Sequence, residues 1–427
     1  MAYLRQVHCK SIYTKMGHHN GTPTSIDDFE PVKDKVPVAN PAQFFRDHGR
    51  DYFVCCADFK IMALVLVKPK DIATVKTAPF FREALRQQAE ELLVIPFSQL
   101  ARVAAEVASD VAPITTILLY HTTRCGSTLL IKALEASGLM HTVSEPDVFI
   151  SFCRNVYPEK DIPEDDMEMV LEVIRHTNKL FNYTLFQQDP SKTVTCYKTR
   201  GQVCRPTNLY VMPSPFIFSI DCVIADLLQK ALPDVKNIFL YRDLVSTVDS
   251  YTRLLAEGRY WKYWILTSLG LDSVLVSNGV GVSPTPPWEN PSFASIPVSH
   301  GVVWFYACLW LVIMQSAHKL TIKDTNQNEC FNVIVRYEEV CKYKEEIVLK
   351  IIDDLGIKGV DEDAKVKMKE AFGVNSQVGH NLASKGLGGG KGWMGDWERG
   401  IMSKILDHTN TGINRSDFVL NGTLTQI

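Results

Sequence analysis

The stretch Thr123-Arg124-Cys125-Gly126-Ser127-Thr128-Leu129-Leu130 combines a cation, a glycine and three hydroxyl residues in eight positions. Ahead of it, Ile114 to Tyr120 is a short apolar, β-branched run of the kind that forms a buried parallel strand. Behind it, Thr128 to Leu139 carries Leu129, Leu130, Ala133 and Leu134 at helical spacing and stops at Gly138. A strand that feeds a tight loop at a helix N-terminus makes an anion site. The first N–H groups of the helix and the positive end of its dipole point at one spot. Arg124 adds a full charge there, and Ser127 and Thr128 add hydroxyl donors. No Gly-Lys-Ser or Gly-Lys-Thr occurs in the chain, so the Mg-nucleotide version of such a loop is absent.

Three further groups have the chemistry to join this anion. Val235 to Tyr241 reads as a strand followed by Arg242, with Ser250 eight residues on. Arg presents a planar fork suited to phosphate, and the carboxyl ends of strands are where open α/β sheets bind ligands. Glu145 precedes Pro146, which keeps it extended, and lies 21 residues after Arg124. A carboxylate can take a proton from a hydroxyl if burial raises its pKa; the plain alternative is a turn or capping carboxylate. Lys192 to Thr199 reads as another strand, ending in Lys198-Thr199-Arg200. No His or Cys cluster with metal-ligand spacing is present, and no metal is expected.

The loop resembles the 5′-phosphosulfate loop of sulfotransferases, which bind 3′-phosphoadenosine 5′-phosphosulfate (PAPS) and transfer its sulfuryl group. That resemblance implies that Arg124, Cys125, Gly126, Ser127, Thr128 and Leu129 hold the cofactor, and that Arg242 and Ser250 contact its 3′-phosphate. It implies Glu145 as the base, because some family members place a Glu at this offset, with Arg124 and Lys198 steadying the charge. In cytosolic members a His follows the Lys-Thr pair as the base; here the position holds Arg200, which cannot be a general base near neutral pH. Tyr337, at the end of the expected strand Cys330 to Tyr337, matches a tyrosine that touches adenine in cytosolic members; packing on the following helix explains it equally well. Lys391, Gly392, Gly395, Asp396 and Trp397 match a loop that folds over the 3′-phosphate, while Gly390 replaces an Arg of the family pattern. The resemblance covers residues 114 to 400. It implies a three-layer α/β/α domain with a mostly parallel sheet, a P-loop-like fold, PAPS as cofactor and a hydroxyl acceptor on a small molecule, carbohydrate or peptide. Two other readings stay open: a pseudo-enzyme that binds PAPS or its desulfonated product PAP, and a P-loop phosphotransferase.

The rest of the chain must position these groups. It has 427 residues, 46% hydrophobic and 22% charged, enough for a large core. Its net charge of −3 gives no electrostatic footprint for nucleic acid. Eleven scattered cysteines, an odd number without a C-x-x-C pair, point to a reducing, cytoplasmic setting. No signal peptide is visible, and Val302 to Met314 is too short to span a bilayer and reads as a buried helix. Asn20 and Asn182 head glycosylation sequons that mean nothing without secretion.

Residues 1 to 40 lack periodicity and read as an arm. Residues 41 to 110 read as an α+β extension without chemistry: a hairpin of Tyr52 to Cys56 with Ile61 to Val67, then helices Phe80 to Leu93 and Phe97 to Ser109. Residues 111 to 427 are the expected sulfotransferase-like domain. Within it, Asp161 to Asn182 and Asp221 to Leu232 read as helices. The Tyr- and Trp-rich stretch Tyr251 to Gly270 reads as a packed helix with one or two residues free to line an acceptor pocket. Ser277 to Ser299, rich in Pro, Gly and Ser, reads as a lid.

Overall fold

A computed structural model describes residues 1–10, 25–156, 164–199, 225–256, 258–271, 301–322, 330–374, 392–408 and 412–425. Arg200, Gly390, Lys391 and the expected lid at 277–299 lie outside the described residues.

Two sheets organise the described residues. The first is six-stranded and antiparallel: β1 (Tyr3–Cys9), β2 (Phe29–Pro31), β3 (Val36–Pro37), β4 (Phe53–Asp58), β5 (Ala63–Pro69) and β6 (Ala89–Pro96). Its path is β2-β1-β6-β5-β4, with β3 also paired to β1. This corrects two expectations. The presumed arm supplies three strands, because β1 finds its partner in β6 more than eighty residues away. The presumed helix Phe80 to Leu93 ends at Gln87, and Ala89–Pro96 becomes the strand between β1 and β5. Leu92, Leu93, Val94 and Ile95 are a continuous apolar run, and such runs have no period that separates a buried strand from a buried helix.

The second sheet is five-stranded, with β7 (Thr115–His121), β8 (Met140–Ser144), β9 (Val194–Lys198), β10 (Lys236–Tyr241) and β11 (Val333–Arg336). The order is β11-β10-β7-β9-β8, and every pairing is parallel. Side-chain alternation sorts its residues into two cores. Ile117, Leu119, Cys196, Ile238, Leu240, Val333 and Val335 face helices Ser127–Ala136, Glu345–Asp354 and Glu362–Ala371. Leu118, Tyr120, Tyr197, Phe239, Tyr241 and Ile334 join the opposite cluster, which continues without a break into the first sheet. The chain is thus α/β with helices on both faces of a parallel sheet. β8, with the sequence MHTVS, carries too few apolar residues to be read as a strand from the sequence.

Helix Glu164–Gln188 joins the two sheets. Thr184 Oγ1 donates to the carbonyls of Gly49 and Tyr52, both at 2.9 Å, and Tyr183 Oη donates to Arg46 O at 2.7 Å. Two residues before Thr184, Asn182 is buried against the parallel sheet. Its Nδ2 donates to Thr116 Oγ1 at 2.9 Å, and its Oδ1 accepts from Thr195 Oγ1 at 2.8 Å and Tyr197 Oη at 2.7 Å. The Asn182 carboxamide is therefore a core hydrogen-bonding hub rather than a glycosylation site. Helix Val302–Thr321 is buried from Val302 through Met314. Among the described residues no helix is long and apolar enough to cross a membrane.

Register fixes where the site must form. Ser144 pairs level with Lys198, Lys198 with Leu119, and His121 with Leu240. The carboxyl ends of β7, β8, β9 and β10 therefore come out on one rim. The connection leaving β7 runs toward β8, while the one leaving β10 runs to β11, so a crevice opens between β7 and β10 at that rim.

Replacing Asn182 with Ala leaves three buried hydroxyls short of a partner. Each net hydrogen bond is worth about 1 kcal/mol and an orphaned group about 1–3 kcal/mol. Urea unfolding is expected to show a loss of about 2–4 kcal/mol without a change of fold.

Candidate active site

The loop between β7 and helix Ser127–Ala136 turns on two left-handed residues, Arg124 (φ 57°) and Gly126 (φ 79°). Gly126 caps the helix, and a Cβ placed there would lie 2.3 Å from the Tyr337 ring. Only glycine satisfies both that φ and that approach. Cys125 is fully buried, and burial pushes its thiol up to about 12. Desolvation exceeds the opposing pull of Thr122, the Ser127 amide, Lys198 and Arg242, so Cys125 is a packing residue rather than an activated thiol. Ser127 and Thr128 are buried at the start of the helix. The N–H of Leu129 is already bonded to Gly126 O at 2.9 Å, so its amide closes the helix turn.

Arg124 and Ser250, 126 residues apart, meet: Arg124 Nε donates to Ser250 Oγ at 3.1 Å. Ser250 reaches the loop because helix Leu244–Leu255 starts right after β10, capped by Asp243 accepting from Ser246 N at 2.8 Å, and runs back past the crevice. Arg242 joins them. Its Nη1 donates to Arg124 O at 3.4 Å, its backbone N–H donates to Thr122 Oγ1 at 3.2 Å, and its carbonyl accepts from Trp310 Nε1 at 2.8 Å. Its guanidinium lies over the Tyr337 ring, 4.5 Å from the centroid. Arg242 Nε is buried without a hydrogen-bond partner, and no carboxylate pairs with Arg242 among the described residues. Burial, with Arg242 a lesser contributor, lowers the Arg124 pKa. Two guanidinium groups held together repel unless an anion joins them.

Tyr337 starts helix Tyr337–Tyr343 rather than ending β11. Its ring sits between Arg242 and Gly126, and burial pushes its hydroxyl up to about 12. Gly392 falls beside the same helix as Ser250: Trp393 N donates to Asp249 Oδ1 at 2.7 Å, and Arg253 covers the Trp393 ring at 5.4 Å. The C-terminal motif thus reaches the helix that carries Ser250.

The second cluster lies at the ends of β8 and β9. Lys198 is 1% exposed, and its ammonium donates to Thr128 Oγ1 at 3.2 Å, Ser144 Oγ at 3.2 Å and Glu145 Oε1 at 3.0 Å. Those three oxygens match its three N–H bonds. Glu145 N donates to Lys198 O at 2.8 Å, extending the ladder by one rung. Glu145 then adopts φ 58° rather than the extended backbone expected before Pro146, because that turn brings its carboxylate back over Lys198. Such a backbone costs about 1–3 kcal/mol in a residue with a side chain, and the pairing offsets it. Glu145 Oε2 lies 3.7 Å from Arg82 Nε.

Sequence reasoning missed Arg82, which comes from helix Phe81–Gln87 in the part of the chain read as devoid of chemistry. It missed Ser144 and His121 as well. His121 closes β7 with Nε2 2.9 Å from Thr199 O and Nδ1 3.0 Å from Thr122 O. Burial first, then Lys198, lowers its pKa to about 4. The signal for Arg82 is its spacing: Arg82 and Arg86 are four apart, one helical turn, beside the apolar Phe81, Ala84 and Leu85.

No family model matches the chain, and no curated protein matches it. Solved structures do. A sulfotransferase from Alicyclobacillus acidocaldarius is similar at 14% identity and a TM-score of 0.31, over 61% of this chain and 91% of that one. Retinol dehydratase in complex with androsterone and inactive cofactor PAP is similar at 14% identity and a TM-score of 0.33, over 76% and 90%. Retinol dehydratase with retinol and PAP gives 12% identity and a TM-score of 0.31, over 76% and 91%.

His121 supplies a pH dependence. Its folded pKa lies below the ordinary value of 6.5, so the unfolded chain binds the proton first as pH falls. The contribution is intact above about pH 6.5 and is lost toward pH 4; linkage puts the loss at about 2 kcal/mol by pH 5. Urea midpoints at pH 7.5 and pH 5 are expected to differ less in His121→Asn than in the unsubstituted chain.

Proposed function

We propose that the chain is a PAPS-dependent sulfotransferase acting on a hydroxyl acceptor. The observation that carries this reading is the convergence of Arg124, Ser250 and Arg242 on the crevice between β7 and β10, with an unpartnered buried Nε on Arg242. That donor set fits a doubly phosphorylated nucleotide. Arg242 and Ser250 would hold its 3′-phosphate, with Gly392 and Lys391 closing over it. The loop from Arg124 to Leu129, a helix N-terminus without Gly-Lys-Ser/Thr, would hold its 5′ end. Tyr337 would border the bound nucleotide.

Bound PAPS would supply the sulfuryl group and leave as PAP. Around it, the residues of this chain divide the work. Glu145 takes the proton from the acceptor hydroxyl as the acceptor oxygen becomes nucleophilic. Lys198, buried beside Glu145, exchanges one of its hydroxyl partners, Ser144 or Thr128, for negative charge developing at the rim. Arg124 adds positive charge from the loop. The parallel sheet keeps these groups level, which is the positioning that in-line transfer needs. The acceptor class is a small molecule, carbohydrate or peptide hydroxyl, and the setting is cytoplasmic.

Calorimetric titration with PAP, with ATP as control, tests the reading. The unsubstituted chain is expected to bind PAP without Mg²⁺ and to ignore ATP. Arg242→Ala is expected to weaken PAP by about 30-fold or more, since a charge-assisted bond is worth about 1.5–3 kcal/mol and Arg can supply two. ATP binding instead of PAP would move the chain to the phosphotransferases. PAP binding with PAPS turnover that survives Glu145→Gln would remove Glu145 as the base, and PAP binding with no turnover on any acceptor would leave a binding protein.

A further inference from the structure

Helix Phe81–Gln87 belongs to the N-terminal sheet unit, yet two of its side chains reach into the rim of the parallel sheet. Arg82 and Arg86 are 6% and 4% exposed. One turn apart, they address residues two apart: Arg82 Nε lies 3.7 Å from Glu145 Oε2, and Arg86 Nη2 lies 2.7 Å from Asp147 Oδ2. Each arginine also has a carboxylate from its own unit, Glu83 at 3.2 Å for Arg82 and Asp28 at 3.1 Å for Arg86. Burying two guanidinium groups is costly, and the cost is offset only when each meets charge and hydrogen-bond partners. An apolar helix would have packed the two units together with less desolvation. The paired arginines instead grip Ser144-Glu145-Pro146-Asp147 at two points, on either side of Pro146, and the gripped segment contains a residue in a strained left-handed backbone.

We propose that Arg82 is a positioning residue for Glu145 and that the N-terminal unit is thereby part of the reaction centre, with Arg86 anchoring the same segment through Asp147. This inference rests on the proposed role of Glu145. With Oε1 on Lys198 and Oε2 toward Arg82, the carboxylate is held between two cations from two different units. Lys198 holds Oε1 by a hydrogen bond at 3.0 Å, while Arg82, at 3.7 Å, acts on Oε2 through its charge. Loss of Arg82 takes one of these two cations from the carboxylate. The other charged and titratable groups around it are Glu83, Arg86 and Asp147 from the loop and helix, His121 from the end of β7, and Tyr251 from helix Leu244–Leu255.

The test uses the full chain and a readout separate from turnover. Glu145 is modified with a water-soluble carbodiimide and glycine ethyl ester across pH 4 to 8, and the extent is read by peptide mass spectrometry for the unsubstituted chain, Arg82→Gln and Arg82→Lys. PAP affinity is measured in parallel. Removing an opposite charge this close is expected to move the half-reaction pH of Glu145 upward by about one unit in Arg82→Gln, and Arg82→Lys is expected to restore most of it. PAP affinity is expected to stay within about twofold, because Arg82 is not among the cofactor groups. An unchanged profile in Arg82→Gln overturns the proposal, as does a Lys variant that behaves like Gln. Loss of PAP binding in Arg82→Gln alone also overturns it by placing Arg82 in the cofactor site. If the unsubstituted chain does not bind PAP, the functional reading falls while the carboxyl profile still decides whether Arg82 governs Glu145.

Discussion

A single buried ammonium fixes the geometry of the rim. Lys198 ends β9 with 1% exposure, and a desolvated cation is tolerated only when its N–H bonds are met. Its three oxygens come from three elements: Thr128 from the helix after the loop, Ser144 from the end of β8, and Glu145 from the turn beyond it. Meeting that one requirement aligns the first helix with two strand ends and pulls Glu145 into its strained backbone. The charge of Lys198 also acts on His121, second to the burial of His121 itself, and the two lower its pKa to about 4.

Beside this centre lies a second group of cations. Arg242 reaches the Arg124 carbonyl, Arg124 bonds Ser250, and stacking on Tyr337 and the Trp310 bond to the Arg242 backbone hold Arg242 in place. The contrast is physical. The N–H bonds of Lys198 are met within the protein, whereas Arg242 Nε is buried without a hydrogen-bond partner.

The anion loop, the strands β7, β9 and β10 and the start of helix Leu244–Leu255 were legible because each has a short-range cause: a buried parallel strand is a solid apolar run, and a helix start is marked by its cap. The fold class followed from the resemblance that the loop and the strand-end residues carry. Strand β8 was not legible, since five residues of mixed polarity have no period. Helix Phe80 to Leu93 was misread because an apolar run serves either structure, and the choice was made by pairing of β6 with β1 and β5. The first strand was invisible for the same reason, its partner lying more than eighty residues away.

The sequence by itself determined the local chemistry: a loop that presents amides and Arg124 at a helix N-terminus, an Arg–Ser pair at 242 and 250, and a carboxylate after the second turn. These depend on neighbours within a few residues, and short-range sterics and hydrogen bonding act at that range. Only the tertiary structure decided which charges meet. Arg82 reaching Glu145, Lys198 bonding Thr128, Asn182 bonding Thr116 and Gly126 lying under Tyr337 are contacts between residues tens to hundreds of positions apart. Coulomb and packing forces depend on distance in space, and distance in space follows from the order and register of the strands.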